Sequence, residues 1–414
     1  MVTETRGVLA GRRVVRGRED ECRVHYEAGG DSRRSGAPVA GVARHVGTLA
    51  VPGPAGAVTR REFLATLAAA PPALAAAGAA ASPRADFVKG VYLSYYGVGD
   101  RTLREQVLGL LDRTELNAVV IDVKGDRGFI PYESRVPLTV EAGALGPVRL
   151  RDLDALLARL RSQEVYSIAR VVVFKDHVLA RHRPDWAVVD AGTGSPWLDN
   201  EGLAWVDPFA EAAWTYSIAV AREAAEWGFR EIQFDYLRFP SDGRLGAARY
   251  SKPSTPEARR QAISAFLERA REALVPTGAS VAVDVFGYTA FNQNDSGVGQ
   301  RVEDLAPRVD YLCPMAYPSA YHRGIPGYPD PVVHPYEVVR ETVRRMRERV
   351  GRASARVRPW IQDFRDYAFD RRPFGVAEVR AQMQAARDAG AAGWMIWNPR
   401  NQYTVEALGP RGAE

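Results

Sequence analysis

The sequence is short of the residues that build metal centres and disulfides, with 2 cysteines and 6 histidines in 414 residues. Cys22 and Cys313 stand far apart, so they define no disulfide framework and no cysteine-based metal site. Cys313 lies in the apolar run "YLCPMAY" and reads as a small core residue rather than a reactive thiol. His177 and His182 are five residues apart with no third ligand nearby, which argues against a tetrahedral zinc site. No metal and no cofactor is expected. A glycine-rich phosphate cradle is also lacking. The turn "YYGVGDRT" is a poor version of one, and none follows the last two apolar runs, so phosphorylated substrates lose support.

Clustered positive charge is missing from most of the chain. The formal net charge is +5, but residues 1–82 hold 11 Arg against 7 Asp and Glu, so most of the excess sits there. The nearly neutral remainder carries no footprint for nucleic acid. With 46% hydrophobic and 25% charged residues, the composition is that of a globular protein of one large or two average domains. The most apolar N-terminal stretch is broken by Pro71, Pro72 and Gly78, so no stable membrane insertion is expected.

That stretch, "TRREFLATLAAAPPALAAAGAAA" (59–81), pairs two arginines with Phe-Leu and an alanine-rich run. This is the layout of a twin-arginine export signal, expected over 59–82 with small residues at the processing point. The alternative is an Ala/Pro linker. Residues 1–58 show no sustained period of 2 or 3.6 and read as a disordered extension, consistent with a start codon set too far upstream. The mature domain is expected outside the cytoplasm, periplasmic or extracellular.

From residue 87 to 405 eight short apolar runs alternate with amphipathic stretches. The runs are "GVYLSYYG" (90–97), "AVVIDVKG" (118–125), "YSIARVVVF" (166–174), "EIQFDYLRF" (231–239), "SVAVDVFGY" (280–288), "DYLCPMAY" (310–317), "RVRPWIQDF" (356–364) and "GWMIWN" (393–398). Helical patterns such as "LRDLDALLARLRSQ" and "VAEVRAQMQAARDAG" separate them, the latter stopped by Gly390. Strands divided by helices pair in parallel. Eight such units predict an α/β fold, a (β/α)8 barrel in one domain, with a long loop after the third strand and a short or missing last helix. A doubly wound open sheet is the alternative.

Barrel enzymes carry their chemistry at the C-terminal ends of the strands, and polar residues gather there. Asp122 and Lys124 end the second run, Lys175 and Asp176 follow the third, and Asp235 closes the fourth. The later runs add Asp284, Tyr317, Gln362 with Asp363, and Asn398. Side chains alternate along a strand, so Asp122 shares a face with Lys124, and Gln233 with Asp235. Carboxylates with aromatic company suit glycoside hydrolysis, which needs an acid for the leaving oxygen and a second carboxylate as nucleophile or base. Asp235 and Asp284, late on neighbouring strands, are the catalytic candidates. Tyr95, Asp122, Lys124, Lys175, Trp205, Gln233, Arg238, Tyr317, Gln362, Asp363, Trp397 and Asn398 are the candidates for contacting an oligosaccharide or polysaccharide. A glycan-binding barrel without catalysis, and a lyase or aldolase built on Lys124, are the competing readings.

The motifs "LAWVDPF", "IQFDYLRFPSDG", "CPMAYPSAY", "RPWIQDF" and "GWMIWNPRNQYT" together resemble a glycoside hydrolase domain family of bacterial exported proteins, over about residues 87–405. The resemblance implies a (β/α)8 barrel distantly like the alpha-amylases and the reaction class of a glycoside hydrolase; the expected activity is that of an exported hydrolase of a polysaccharide, such as a cell-envelope or biofilm glycan. The resemblance also implies that the strand-four Asp235 is the nucleophile. Amylase-like barrels typically have Arg two residues before that position and Glu at the end of strand five. This chain has Gln233 and Asp284.

Overall fold

The computed structural model describes residues 87–412. The expected extension and export signal lie outside the described residues. Eight parallel strands close on themselves: β1 Val88–Leu93, β2 Ala118–Lys124, β3 Tyr166–Val172, β4 Glu231–Asp235, β5 Ser280–Phe286, β6 Tyr311–Met315, β7 in two pieces, Arg356–Val357 and Trp360–Gln362, and β8 Gly393–Trp397. Neighbours pair in chain order, and Val88 opposite Gly393 closes the ring. Gly393 is required there, because it adopts φ +131° and a Cβ would stand 2.0 Å from the Val88 carbonyl oxygen. Pro359 splits β7 because it has no N–H to give the ladder; the first piece pairs with β6, and Trp360 then bridges Met315 and Met395.

Helices α1 Arg101–Arg113, α2 Leu153–Ser162, α3 Glu211–Trp227, α4 Pro256–Leu274, α5 Val302–Leu305, α6 Pro335–Val350 and α7 Val376–Asp388 follow β1 to β7 in turn. Their ends are set by local chemistry. Asp100 accepts the Leu103 amide at 2.9 Å to start α1. Thr255 and Pro256 start α4, while Gly228 at φ +106° ends α3 in the left-handed region. On α1, Arg104, Val107, Leu108 and Leu111 turn one face inward, the spacing an amphipathic helix needs. The eighth helix is reduced to a single turn, Val405–Ala407. In its place the tail is tied by side chains. Asn401 Nδ2 donates to the Tyr92 carbonyl at 3.0 Å, Tyr403 bonds the same carbonyl, and Asp363 accepts from the Thr404 amide and hydroxyl at 2.7 Å each.

The strands end earlier than their apolar runs. The first stops at Leu93, and Tyr95–Gly99 forms a helical turn capped by Ser94. The fourth stops at Asp235, so Arg238 lies in the following loop. Two cores result. Outward residues such as Val119, Ile121, Val171 and Ile232 pack under the helices. Inward residues, among them Tyr92, Val120, Ile168, Ala282, Cys313 and Met395, fill the barrel. No helix among the described residues is long and apolar enough to cross a membrane.

Candidate active site

The barrel interior changes character from floor to mouth. Along β4 the inward positions are Glu231, Gln233 and Asp235, one per layer. At the floor, fully buried Glu231 is paired with fully buried Arg358 of β7 and accepts the Tyr166 hydroxyl at 3.1 Å. One layer up, Gln233 is fully buried, its amide nitrogen 3.6 Å from the Met395 sulfur. At the mouth stands Asp235, level with Asp284 of β5, because Phe234 pairs with Val283.

Asp235 is held by three N–H groups. Its Oδ2 accepts from Arg170 Nε at 2.9 Å and Nη2 at 2.6 Å, and its Oδ1 accepts from the Tyr236 amide at 2.6 Å. Tyr236 adopts φ +48°, a left-handed conformation costly for an aromatic residue, and this turn folds its N–H back onto the carboxylate. Asp284 is almost wholly buried and accepts the Trp360 indole N–H at 2.7 Å. Burial and then the facing charge of Asp235 push its pKa well up, outweighing Trp360, Arg170 and Arg358. The two carboxyls therefore have opposite environments, one saturated with donors beside a guanidinium and one dry. That asymmetry separates an acid from a base.

Asp122 completes the group. It accepts Arg170 Nη1 at 2.8 Å, the Tyr92 hydroxyl at 2.6 Å and the Tyr95 amide at 3.0 Å; burial nonetheless raises its pKa. Tyr92 stacks on half-buried Trp397, centroids 4.0 Å apart, and the Arg170 guanidinium lies over both rings. Tyr317 follows β6 and is nearly buried. Desolvation and the charges of Asp284 and Asp235 raise its phenol pKa, so it remains a neutral hydroxyl. Phe364 packs edge-on against Tyr317 and stacks with Tyr367, both half-buried beside the mouth.

The other sequence candidates are placed differently. A β-bulge between Asp122 and Lys124 shifts the β2–β3 register and turns Lys124 off the Asp122 face. Lys124 is fully buried, paired with Asp176 at 2.8 Å and lying over the α3 ring of Tyr216. Lys175 is paired with Glu201 at 3.0 Å and Asp199 at 3.4 Å. Burial opposes its charge but Tyr236, Asp126, Glu201 and Asp199 outweigh it, so its pKa rises. Lys175 is therefore not the neutral amine that a Schiff base needs, and the Lys124 amine is taken up by its ion pair with Asp176. Trp205 is fully buried and donates to Asp199 at 2.9 Å. The Arg238 guanidinium lies among Trp205, Tyr236 and Phe286, 4.6–5.0 Å from their ring centroids, while bonding Ser241 at 2.9 Å. Gln362 bonds Ser319 and Gln382, Asp363 and Asn398 anchor the tail, and the Tyr95 hydroxyl accepts the Val148 amide. Of the expected set, the structure thus gathers Asp122, Asp235, Asp284, Tyr317 and Trp397 at one mouth.

Arg170 was not among the candidates, although its signal is present: it sits in "YSIARVVVF" at an even step from Tyr166 and Ile168. An arginine on the inward side of an apolar strand needs carboxylate partners. Asp126, bonded to Arg170 Nη2 at 3.0 Å, lies past the strand end and carries no such mark. Among the described residues no His, Cys, Asp and Glu group is arranged to hold a metal.

The raised pKa of Asp284 has a consequence for stability. The folded protein holds this proton to higher pH than the unfolded chain, where Asp titrates at about 3.9. The folded state therefore binds more protons above that pH, and stability falls as pH rises through the window. Asp284→Asn cannot ionise but still accepts from Trp360. Its urea midpoint is expected to fall less than wild type between about pH 4 and pH 7. Parallel curves for the two proteins would show that Asp284 titrates as an ordinary carboxyl.

Comparison with known proteins follows this geometry. A family model described as "Putative glycosyl hydrolase domain" matches residues 90–403. No curated protein matches the chain. Among solved structures, a hypothetical protein from Ruminiclostridium thermocellum ATCC 27405 is 37% identical, over 47% of this chain and 97% of that one, at TM-score 0.42. The glycoside hydrolase domain of PgaB (BpsB) from Bordetella bronchiseptica is 16% identical, over 76% of this chain and 95% of its own, at TM-score 0.53. A chitinase from Chromobacterium violaceum ATCC 12472 is 14% identical, over 77% and 97% respectively, at TM-score 0.48. The likeness to the Bordetella domain is one of fold.

Proposed function

The chain belongs to this glycosyl hydrolase domain family, and from that premise we propose that it cleaves glycosidic bonds in a polysaccharide with Asp235 and Asp284. The observation that carries the reading is the pair itself: two carboxyls level on neighbouring strands, one facing a guanidinium and the other buried against an indole N–H. Asp284, protonated, gives its proton to the leaving oxygen as the glycosidic C–O bond breaks and Asp235 bonds to the anomeric carbon; water, deprotonated by Asp284, then displaces Asp235 and restores both carboxyls. Trp397 and Phe364 offer apolar faces to the sugar ring. The twin-arginine pattern at 59–82 supports an exported protein, and an envelope or biofilm glycan is the corresponding substrate.

The test is a screen of the protein on bacterial and plant glycans for newly released reducing ends, with Asp235→Asn and Asp284→Asn beside wild type. Release by wild type that both variants lose is the expected result. Release that survives in both variants would remove the site assignment. Glycan binding with no release would turn the protein into a lectin-like barrel.

A further inference from the structure

Two carboxyls that face each other cannot both ionise cheaply, so some group must decide which keeps the proton. We propose that Arg170 is the positioning residue that makes Asp235 the charged member and leaves the proton on Asp284. The inference rests on the hydrolase reading above.

The geometry is one-sided. Arg170 is 1% exposed and aims Nε and Nη2 at the same oxygen of Asp235, at 2.9 and 2.6 Å. Its remaining contacts keep it there: Nη1 on Asp122 at 2.8 Å, Nη2 also on Asp126 at 3.0 Å, and the stacked rings of Tyr92 and Trp397, with centroids 5.6 and 5.2 Å from its central carbon. Asp284 receives a neutral indole N–H instead. Asp235 has an adjacent cation and three N–H donors where Asp284 has one neutral donor, and an opposite charge at hydrogen-bond distance favours the ionised form, so the negative charge settles on Asp235. The other titratable groups facing the pair are Asp122, Asp126 and Tyr317, with Tyr236 beside Asp235 and Arg358 beneath Asp284. Arg170 is the cation shared by Asp122, Asp126 and Asp235. Gln233, the same-strand position where amylase-like barrels carry arginine, is fully buried a layer below and bonds a sulfur. The guanidinium reaches Asp235 from the neighbouring strand instead.

The test uses two readouts on Arg170→Met and Arg170→Lys. The first, without substrate, is the titration of aspartate side-chain carboxyls followed by carbon NMR, assigned with Asp235→Asn and Asp284→Asn. The second is the pH profile of kcat/KM for glycan cleavage. Arg170→Met is expected to move the Asp235 titration and the acid limb of the profile up together, by about 1–3 pH units. Arg170→Lys, which keeps the charge but cannot place two N–H groups on one oxygen, moves both in the same direction by less. It carries the test if Arg170→Met does not fold. Activity lost equally at every pH, with both titrations in place, would overturn the inference and leave Arg170 a structural residue. If the carboxyl titration moves as expected while Asp235→Asn still cleaves glycan, the catalytic assignment of Asp235 falls and the hold of Arg170 on Asp235 stands.

Discussion

Asp235→Asn is expected to lower kcat/KM for glycan cleavage by on the order of 10⁴-fold or more. The amide keeps the size of the side chain and can still meet the Tyr236 N–H, so the barrel persists. It cannot form or stabilise a bond to the sugar's anomeric carbon, and Arg170 then faces a neutral group. The loss at Asp284→Asn is expected to be smaller, roughly 10²–10⁴-fold, the usual worth of general acid catalysis. Leaving-group chemistry separates the two roles. An aryl glycoside with an acidic phenol leaves without protonation, so Asp284→Asn regains most of its rate on that substrate and Asp235→Asn does not. The measurement is steady-state kinetics on a natural glycan and an activated aryl glycoside. Recovery in Asp235→Asn but not in Asp284→Asn would show that the two carboxyls are assigned the wrong way round.

The second large effect concerns the floor rather than the mouth. Glu231 and Arg358 are both fully buried, with Arg358 Nη1 at 3.1 Å from the carboxylate and Nε without a hydrogen-bond partner. Such a pair adds little net stability, because desolvating two charges consumes most of their attraction. Breaking it is another matter. Arg358→Met leaves the Glu231 carboxyl without its ion-pair partner in an apolar barrel, and a loss of about 3–5 kcal/mol is expected in urea unfolding. Replacing both, with Glu231→Leu and Arg358→Met together, is expected to recover most of that loss, so the cycle is strongly non-additive. A single variant within about 1 kcal/mol of wild type would mean that water or Tyr166 already neutralises the site.

The fold was legible because its signal is periodic and long. Eight apolar runs separated by helical spacing leave few architectures, and each barrel strand lies within or within two residues of its run. What the pattern misplaced were the ends. Apolar residues continue past β1 and β4 because Tyr95 packs against Phe129 and Phe239 against Phe209, outside any ladder. The placement of the candidate carboxyls was legible where strand parity holds, as for Asp235 and Asp284, level on neighbouring strands. It was hidden where parity breaks. The bulge in β2 sends Lys124 away from Asp122, and no residue type in "IDVKG" announces it. Arg170 was hidden differently, since its apolar neighbours drew attention to packing. Lys175, Trp205, Gln362 and Asp363 stand at strand ends or in loops as expected, yet their polar atoms are satisfied by the protein itself.

Where an eighth helix would pack, this barrel has a clasp. Asn401 and Tyr403 grip the backbone of Tyr92, the hydroxyl of Tyr92 holds Asp122, Asp122 holds Arg170, and Arg170 holds Asp235. The seam of the cylinder and the aim of the Asp235 carboxyl are thus links of one chain. A sequence change in the clasp reaches that carboxyl through four successive handholds.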